Sequence, residues 1–222
     1  MTAHPLQDVR HEWEMRRTGM TETDSRIVKE LGMSVGRYAG DGVRRAVMEG
    51  SEELESSSKG EKFAEWVREA MTKLDDLVDQ STRDRIMQNC GRNCSLEYGE
   101  VIQCARERFR QRRNLDDYLN SEMRMHRQRI RLKREGDILY QVYEPRSGAK
   151  GARCFCSLLR NLPQDQSISL TYCHCSKGFV RNYWEQVFGK PVKVEILESV
   201  ISGGKECRFA IYLPEGLDEN RA

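Results

Sequence analysis

The cysteines are the residues whose type and spacing most clearly suggest chemistry. Five of the eight follow residue 150. Cys154 and Cys156 form one Cys-x-Cys pair, and Cys173 and Cys175 form a second in the run Thr171-Tyr172-Cys173-His174-Cys175-Ser176. In an extended chain residues i and i+2 face the same side, so each pair would aim two sulfurs in one direction. Two such pairs brought together supply four thiolates, a tetrahedral set for zinc or, as the less favoured occupant, an iron–sulfur cluster. Neither pair has the commoner Cys-x-x-Cys spacing of zinc knuckles. The competing reading is that a cysteine is a small, buried, apolar residue. It suits Cys104, beside Val101 and Ala105 on a helix face, and Cys207, which shares a strand face with Phe209 and Ile211.

A reactive thiol is a third reading. Cys175 precedes Ser176, which reads as the N-cap of a helix, and the positive end of that helix would favour a thiolate. Cys175 or Cys173 would then be the nucleophile. His174 is a poor base for either, because in an extended segment its ring points away from both sulfurs. A base would have to come from elsewhere, such as His126. Cys90 and Cys94, in Cys-Gly-Arg-Asn-Cys, have the spacing of one helix face, but Gly91 predicts a break between them. A thiol or metal role and a packed turn both stay open for that pair. No cysteine follows three residues after Cys94, so the three-cysteine motif of radical enzymes is absent. No Walker motif, dinucleotide fingerprint or nucleophile elbow occurs either.

The elements that must position these residues change character along the chain. In the first 50 residues Val35, Ala39, Val43, Ala46 and Val47 recur at helical spacing, while Gly32, Gly36, Gly40 and Gly42 weaken the helix or admit a close neighbour. Ser51 to Gly60 reads as a break, with Ser58 and Glu61 forming a capping box. The helix that follows buries Phe63, Trp66, Val67, Ala70, Leu74, Leu77 and Val78. Helices are predicted from Thr82 to Cys90, from Leu96 to Arg112 and from Leu115 to His126. Beyond Arg127 the period becomes two: Ile130 and Leu132, the turn Glu135-Gly136-Asp137, then Ile138, Tyr140 and Val142 make a hairpin. Ile168 to Cys173 reads as a strand, Ser176 to Gly189 as a helix stopped before Pro191, and Val192 to Val200 and Cys207 to Leu213 as two strands turning at Ser202-Gly203-Gly204. The expected class is α+β: a helical N-terminal half packed on a C-terminal antiparallel sheet with at least one covering helix. Residues 1–125 form the helical region, 126–216 a cysteine-rich α+β domain, and 217–222 a frayed tail.

Composition narrows the partners. Charged residues make up 32% and hydrophobic residues 38% of 222, polar for a folded chain but not so polar as to preclude a core. No apolar run approaches the roughly 18 residues of a membrane span, and the N-terminus lacks a signal-peptide core. These features predict a cytoplasmic chain with reduced cysteines. The net charge is only +2. A local excess runs from Val101 to Glu135, with eleven Arg and Lys against five Asp and Glu. Without a recognised binding motif it reads as a solvated helix side and a sheet edge blunted by charge, so nucleic acid is not the expected partner.

The order helix, Gly189-Lys190-Pro191-Val192, long strand, Gly203-Gly204, Cys207-Arg208-Phe209 resembles the C-terminal part of the 4-vinyl-reductase domain. It also resembles that domain's relatives, among them the L-2-amino-thiazoline-4-carboxylic acid hydrolase family. The resemblance covers about a fifth of the chain. It implies an α+β fold enclosing a small, often hydrophobic ligand, with a cysteine at position 207 after the glycine turn and cysteines that bind metal. The expected function is a small-molecule-binding or sensing protein with a cysteine-lined site, Cys154, Cys156, Cys173 and Cys175 holding zinc and the helical half covering the sheet or forming a homodimer. The alternative is a cysteine-dependent hydrolase.

Overall fold

The computed structural model describes residues 21–54, 61–125, 130–143, 159 and 167–217. Ser58, His126, Cys154, Cys156 and the 217–222 tail beyond its first residue lie outside these ranges. Among the described residues the order is α1 (Thr21–Met48), α2 (Glu61–Leu77), α3 (Gln80–Leu96), α4 (Gly99–Arg110), α5 (Leu115–Met125), β1 (Ile130–Glu135), β2 (Ile138–Tyr143), α6 (Cys173–Phe188), β3 (Lys193–Glu198) and β4 (Cys207–Tyr212). The strands form one antiparallel sheet in the order β1-β2-β4-β3. The class is α+β, helical first and sheet last, as expected.

Helix α1 is not straight. Gly40 adopts φ 86° and ψ 170°, a conformation open to glycine and strained for other residues. The chain doubles back there, so Met48 lies against Gly32 and Arg44 against Gly36. Two of the glycines that weaken the helical reading thus make room for the returning segment. Trp66 of α2 holds the far end by donating its indole N–H to the Glu49 carbonyl at 3.1 Å.

Two hydrophobic cores result. The first joins α1, α2 and α3 through Leu31, Val35, Val47, Trp66, Met71, Leu74 and Ile86, with Leu159, Ile168 and Tyr172 added from later in the chain. The second lies between α4, α5, α6 and the sheet and centres on Trp184. Trp184 stacks on Phe188 at 5.0 Å, meets Tyr118 edge-on at 6.5 Å, and donates its N–H to Gln141 of β2 at 2.7 Å. Each such fully buried large apolar side chain contributes about 1.5–3 kcal/mol. Helices α4 and α5 belong to this second core. Cys207 and Tyr143, paired across β4 and β2, pack at its margin.

Several local expectations are corrected. Gly91 does not end a helix; α3 runs through it to Leu96, begun by Asp79, whose side chain accepts the Thr82 N–H at 3.1 Å. Ile168 to Cys173 is not a strand. Ser169 accepts the Thr171 N–H and opens a single 3₁₀ turn, Leu170–Tyr172, which continues into α6 at Cys173 instead of Ser176. On α2, Leu77 faces solvent, because its helix ends there and the core contact passes to Leu74. On α4 the buried positions are Ile102, Ala105 and Phe109, with Val101 and Cys104 only half-buried at the edge.

The reason Gly91 stays helical is its partner. A Cβ at Gly91 would stand 1.8 Å from the Cys175 carbonyl oxygen, and one at Gly178 would stand 2.1 Å from the Gln88 carbonyl oxygen. Helices α3 and α6 therefore touch backbone to backbone. Further along the seam Asn182 donates to Ser95 Oγ at 2.7 Å, and Ser95 in turn donates to the Arg92 carbonyl, satisfying buried polar groups inside the crossing.

Candidate ligand cleft at the start of α6

The start of α6 is tied down from two sides. Asp75, at the end of α2, accepts the Thr171 hydroxyl at 2.6 Å and pairs with Arg83 at 3.2 Å. Cys173 Sγ lies 2.9 Å from Ser199 Oγ, just past β3. Ser199 is itself buried and accepts the Ile201 N–H, opening the 3₁₀ turn Val200–Ser202. Between these anchors a cleft of about 320 Å³ opens. Leu170, His174 and Lys177 form one wall, β3 from Glu195 to Ser199 forms the other, and Ser202 closes an end. A broader depression of about 680 Å³ lies along Gly42–Glu52, but a single stretch of chain lines it and it is open to solvent.

The polar groups of the cleft are mostly engaged. His174 Nε2 is 3.2 Å from Asp84 of α3, and the His174 side chain is only 14% exposed. Burial holds its pKa below the ordinary histidine value; Asp84 opposes this, while Lys177 and Arg83 add to it. The neutral ring so favoured sets Nε2 beside Asp84, and its second nitrogen is Nδ1. That Nδ1 is buried with no hydrogen-bond partner among the described residues. Glu195 accepts the Lys193 ammonium and the Tyr212 hydroxyl, each at 2.7 Å, which hold its carboxyl below the usual range. Glu198 accepts the Lys205 N–H at 2.8 Å and Arg208 at 3.1 Å.

The four cysteines expected to act together fare differently. Cys154 and Cys156 lie outside the described residues. Cys173 and Cys175 are in the first turn of a helix, where i and i+2 diverge by about 200°. The premise that both sulfurs of this pair point one way is overturned, because the backbone is helical and not extended. Cys173 is 7% exposed and turned to Ser199; Cys175 packs partly buried against the first core. The N-cap of α6 is Tyr172 and not Ser176, so Cys175 lies inside the first turn and not ahead of it. Among the described residues no three His, Cys, Asp or Glu side chains cluster as a metal would require. Cys90 and Cys94 share helix α3, and burial pushes the Cys90 thiol up to about 12.

Sequence reasoning missed Lys177, Asp84 and Ser199. The local signal for Lys177 was its spacing of three from His174, which on a helix places both on one face. It was masked by starting α6 at Ser176. Asp84 and Ser199 carry no local signal, because tertiary packing alone brings them to the cleft.

Residues 22–217 match the model of a family described as a family of unknown function, DUF6144. No curated protein matches the chain. Among solved structures, the chain is similar to an H-NOX protein from S. oneidensis in the Fe(II) ligation state, as a mutant. Identity is 14%, over 89% of this chain and 98% of that one, at a TM-score of 0.47. An H-NOX protein from the same organism in the Fe(II)NO state gives 13% identity, 86% and 99% coverage and a TM-score of 0.45. The H-NOX domain from Shewanella oneidensis in the Fe(II)CO state gives 12%, 85% and 97%, and 0.43. At this level of similarity the ligands in those names belong to those proteins alone.

Proposed function

Since the chain belongs to DUF6144, a family of unknown function, we propose its role from its own geometry: it is a small-molecule-binding or sensing protein whose ligand sits between α6 and β3. The observation that carries this reading is the convergence on one cleft of side chains from separate elements, Leu170, His174 and Lys177 against Glu195 to Ser199. Concave sites with mixed apolar walls and a few placed polar groups are the usual seats of small ligands. The cleft also sits at a junction. His174 links α6 to α3 and the first core, while Cys173 links it to Ser199 at the end of β3. A ligand there touches α6 and β3 directly, and His174 passes the contact on to α3 through Asp84. The resemblance of residues 178–213 to the 4-vinyl-reductase domain supports the same reading, since it implies a fold around a small ligand.

The test is a thermal-shift screen of the full chain against a chemically diverse small-molecule library. Hits are repeated on Ser202→Trp, which fills one end of the cleft. Compounds that raise the melting temperature of the parent chain and not of the filled variant are expected. A screen without one such compound would remove the proposal.

A further inference from the structure

We propose that the cleft takes a small carboxylic acid with an apolar body, its carboxylate on Lys177 and its hydrocarbon part on Leu170 and Leu197. This rests on the cleft being the ligand site, as argued above, and adds the chemical class.

Charge comes first. Four ionisable side chains line the cleft, and three of them have partners: His174 with Asp84, Glu195 with Lys193 and Tyr212, and Glu198 with Arg208. Each carboxylate on the β3 wall is therefore balanced by a cation of its own. Lys177 makes no hydrogen bond or ion pair among the described residues, although its charge acts on both His174 and Glu195. Lys177 is thus the one cation lining the cleft without a hydrogen-bond or ion-pair partner among the described residues. A carboxylate satisfies it; an amine is repelled, and a neutral polar group gains less, because hydrogen bonds to charged groups are the stronger ones.

The walls supply the second part. Leu170 is 45% exposed and Leu197 46% exposed. They come from different elements and both line this cleft. Leu197 is turned outward by an irregularity in the sheet. Ile196 pairs with Phe209 and Glu198 with Arg208, so Leu197 is the additional residue of a β-bulge, a device that re-aims a side chain. Leu170 sits in the 3₁₀ turn whose register is set by Ser169 and Asp75. Ile196 extends the apolar strip. Both exposed leucines are held by specific backbone devices and line the same cleft as Lys177.

Size completes the description. A volume of about 320 Å³ lies at the small end of ligand clefts, room for one short chain or ring and not for a nucleotide.

Calorimetric titration of the full chain with octanoate, octylamine and octanol tests the class, because the three share a body and differ in the head group. Saturable one-to-one binding of octanoate is expected, with octanol weaker by roughly tenfold and no binding of octylamine. Lys177→Met should weaken octanoate by roughly tenfold and leave octanol unchanged. Lys177→Gln serves as the second variant if the methionine form does not fold. Leu197→Ser should weaken octanoate and octanol alike. Equal binding of octylamine, non-saturable uptake of octanoate, or a lysine variant that binds octanoate like the parent would each overturn the assignment. If the library screen yields cleft ligands that Ser202→Trp excludes but no acid binds, the class is wrong and the cleft stands. If neither screen nor acids yield a ligand, the cleft itself is not the site.

Discussion

His174 Nε2 and a carboxylate oxygen of Asp84 stand 3.2 Å apart and join the first turn of α6 to α3. Because burial depresses the histidine pKa in the folded chain, the unfolded chain takes up this proton more readily. Its stabilising contribution is complete above the unfolded value of about 6.5 and is lost as pH falls from there through the folded value. The melting temperature is expected to drop on acidification from about pH 7 to about pH 5, with His174→Gln flattening that part of the curve. Parallel curves for the two proteins would show that this ring is not the titrating group.

Gly91→Ala places a methyl group 1.8 Å from the Cys175 carbonyl oxygen. Backbone on both sides leaves no rotamer to change, so a loss of about 3 kcal/mol or more is expected in urea unfolding. Gly99→Ala, where an added Cβ meets nothing within 4 Å, is the control and should shift stability by less than about 1 kcal/mol. Similar midpoints for the two variants would mean the helices do not meet as described.

Arg108 and Glu122 form a two-pronged pair in the second core, Nε to Oε1 at 2.7 Å and a terminal nitrogen to Oε2 at 3.0 Å, with Glu122 only 2% exposed. Glu122→Ala strands the guanidinium and is expected to cost about 3 kcal/mol, whereas Arg108→Met with Glu122→Leu should cost much less. A double variant as unstable as the single one would argue that the pair itself supplies the stability.

Cys90 is buried against α1, its thiol lying 3.8 Å from the Glu30 carbonyl, and burial raises its pKa to about 12. A thiol held protonated reacts slowly. In a timed alkylation read by peptide mass, Cys90 should stay unlabelled in the native chain and label fully in denaturant. Rapid native labelling would contradict the packing of α1 on α3.

Much of the architecture was legible because it follows from local pattern. The hairpin around Glu135-Gly136-Asp137 and the strand carrying Phe209 and Ile211 show a period of two over enough residues to fix the elements, and the core faces of β1 and β4, but on β2 Leu139 and Gln141 face inward instead of Ile138 and Tyr140, because Leu132 pairs with Gln141. Helix α6 stops at Gly189 as predicted. The misreadings share a cause. Ile168, Leu170 and Tyr172 alternate like a strand, yet three residues are too few to outweigh the cap that Ser169 provides. Gly91 carries the local signal of a helix end, and only a helix entering from residues 173–188 makes it a point of contact instead. The candidate site was half visible: His174 stood in the run first singled out for its cysteines, but Asp84, Ser199 and the outward turn of Leu197 depend on packing and a bulge that no local pattern encodes.

A protein interior ordinarily absorbs a mutation by letting neighbouring side chains rearrange. Where Gly91 and Gly178 bring two main chains together, nothing lies between them that can rearrange. A bulkier residue at either position therefore has no compensating change available at a single third site, and relief requires moving a whole helix together with the cleft residues mounted on it. The proposed ligand site is thereby tied to two glycines, neither of which lines it.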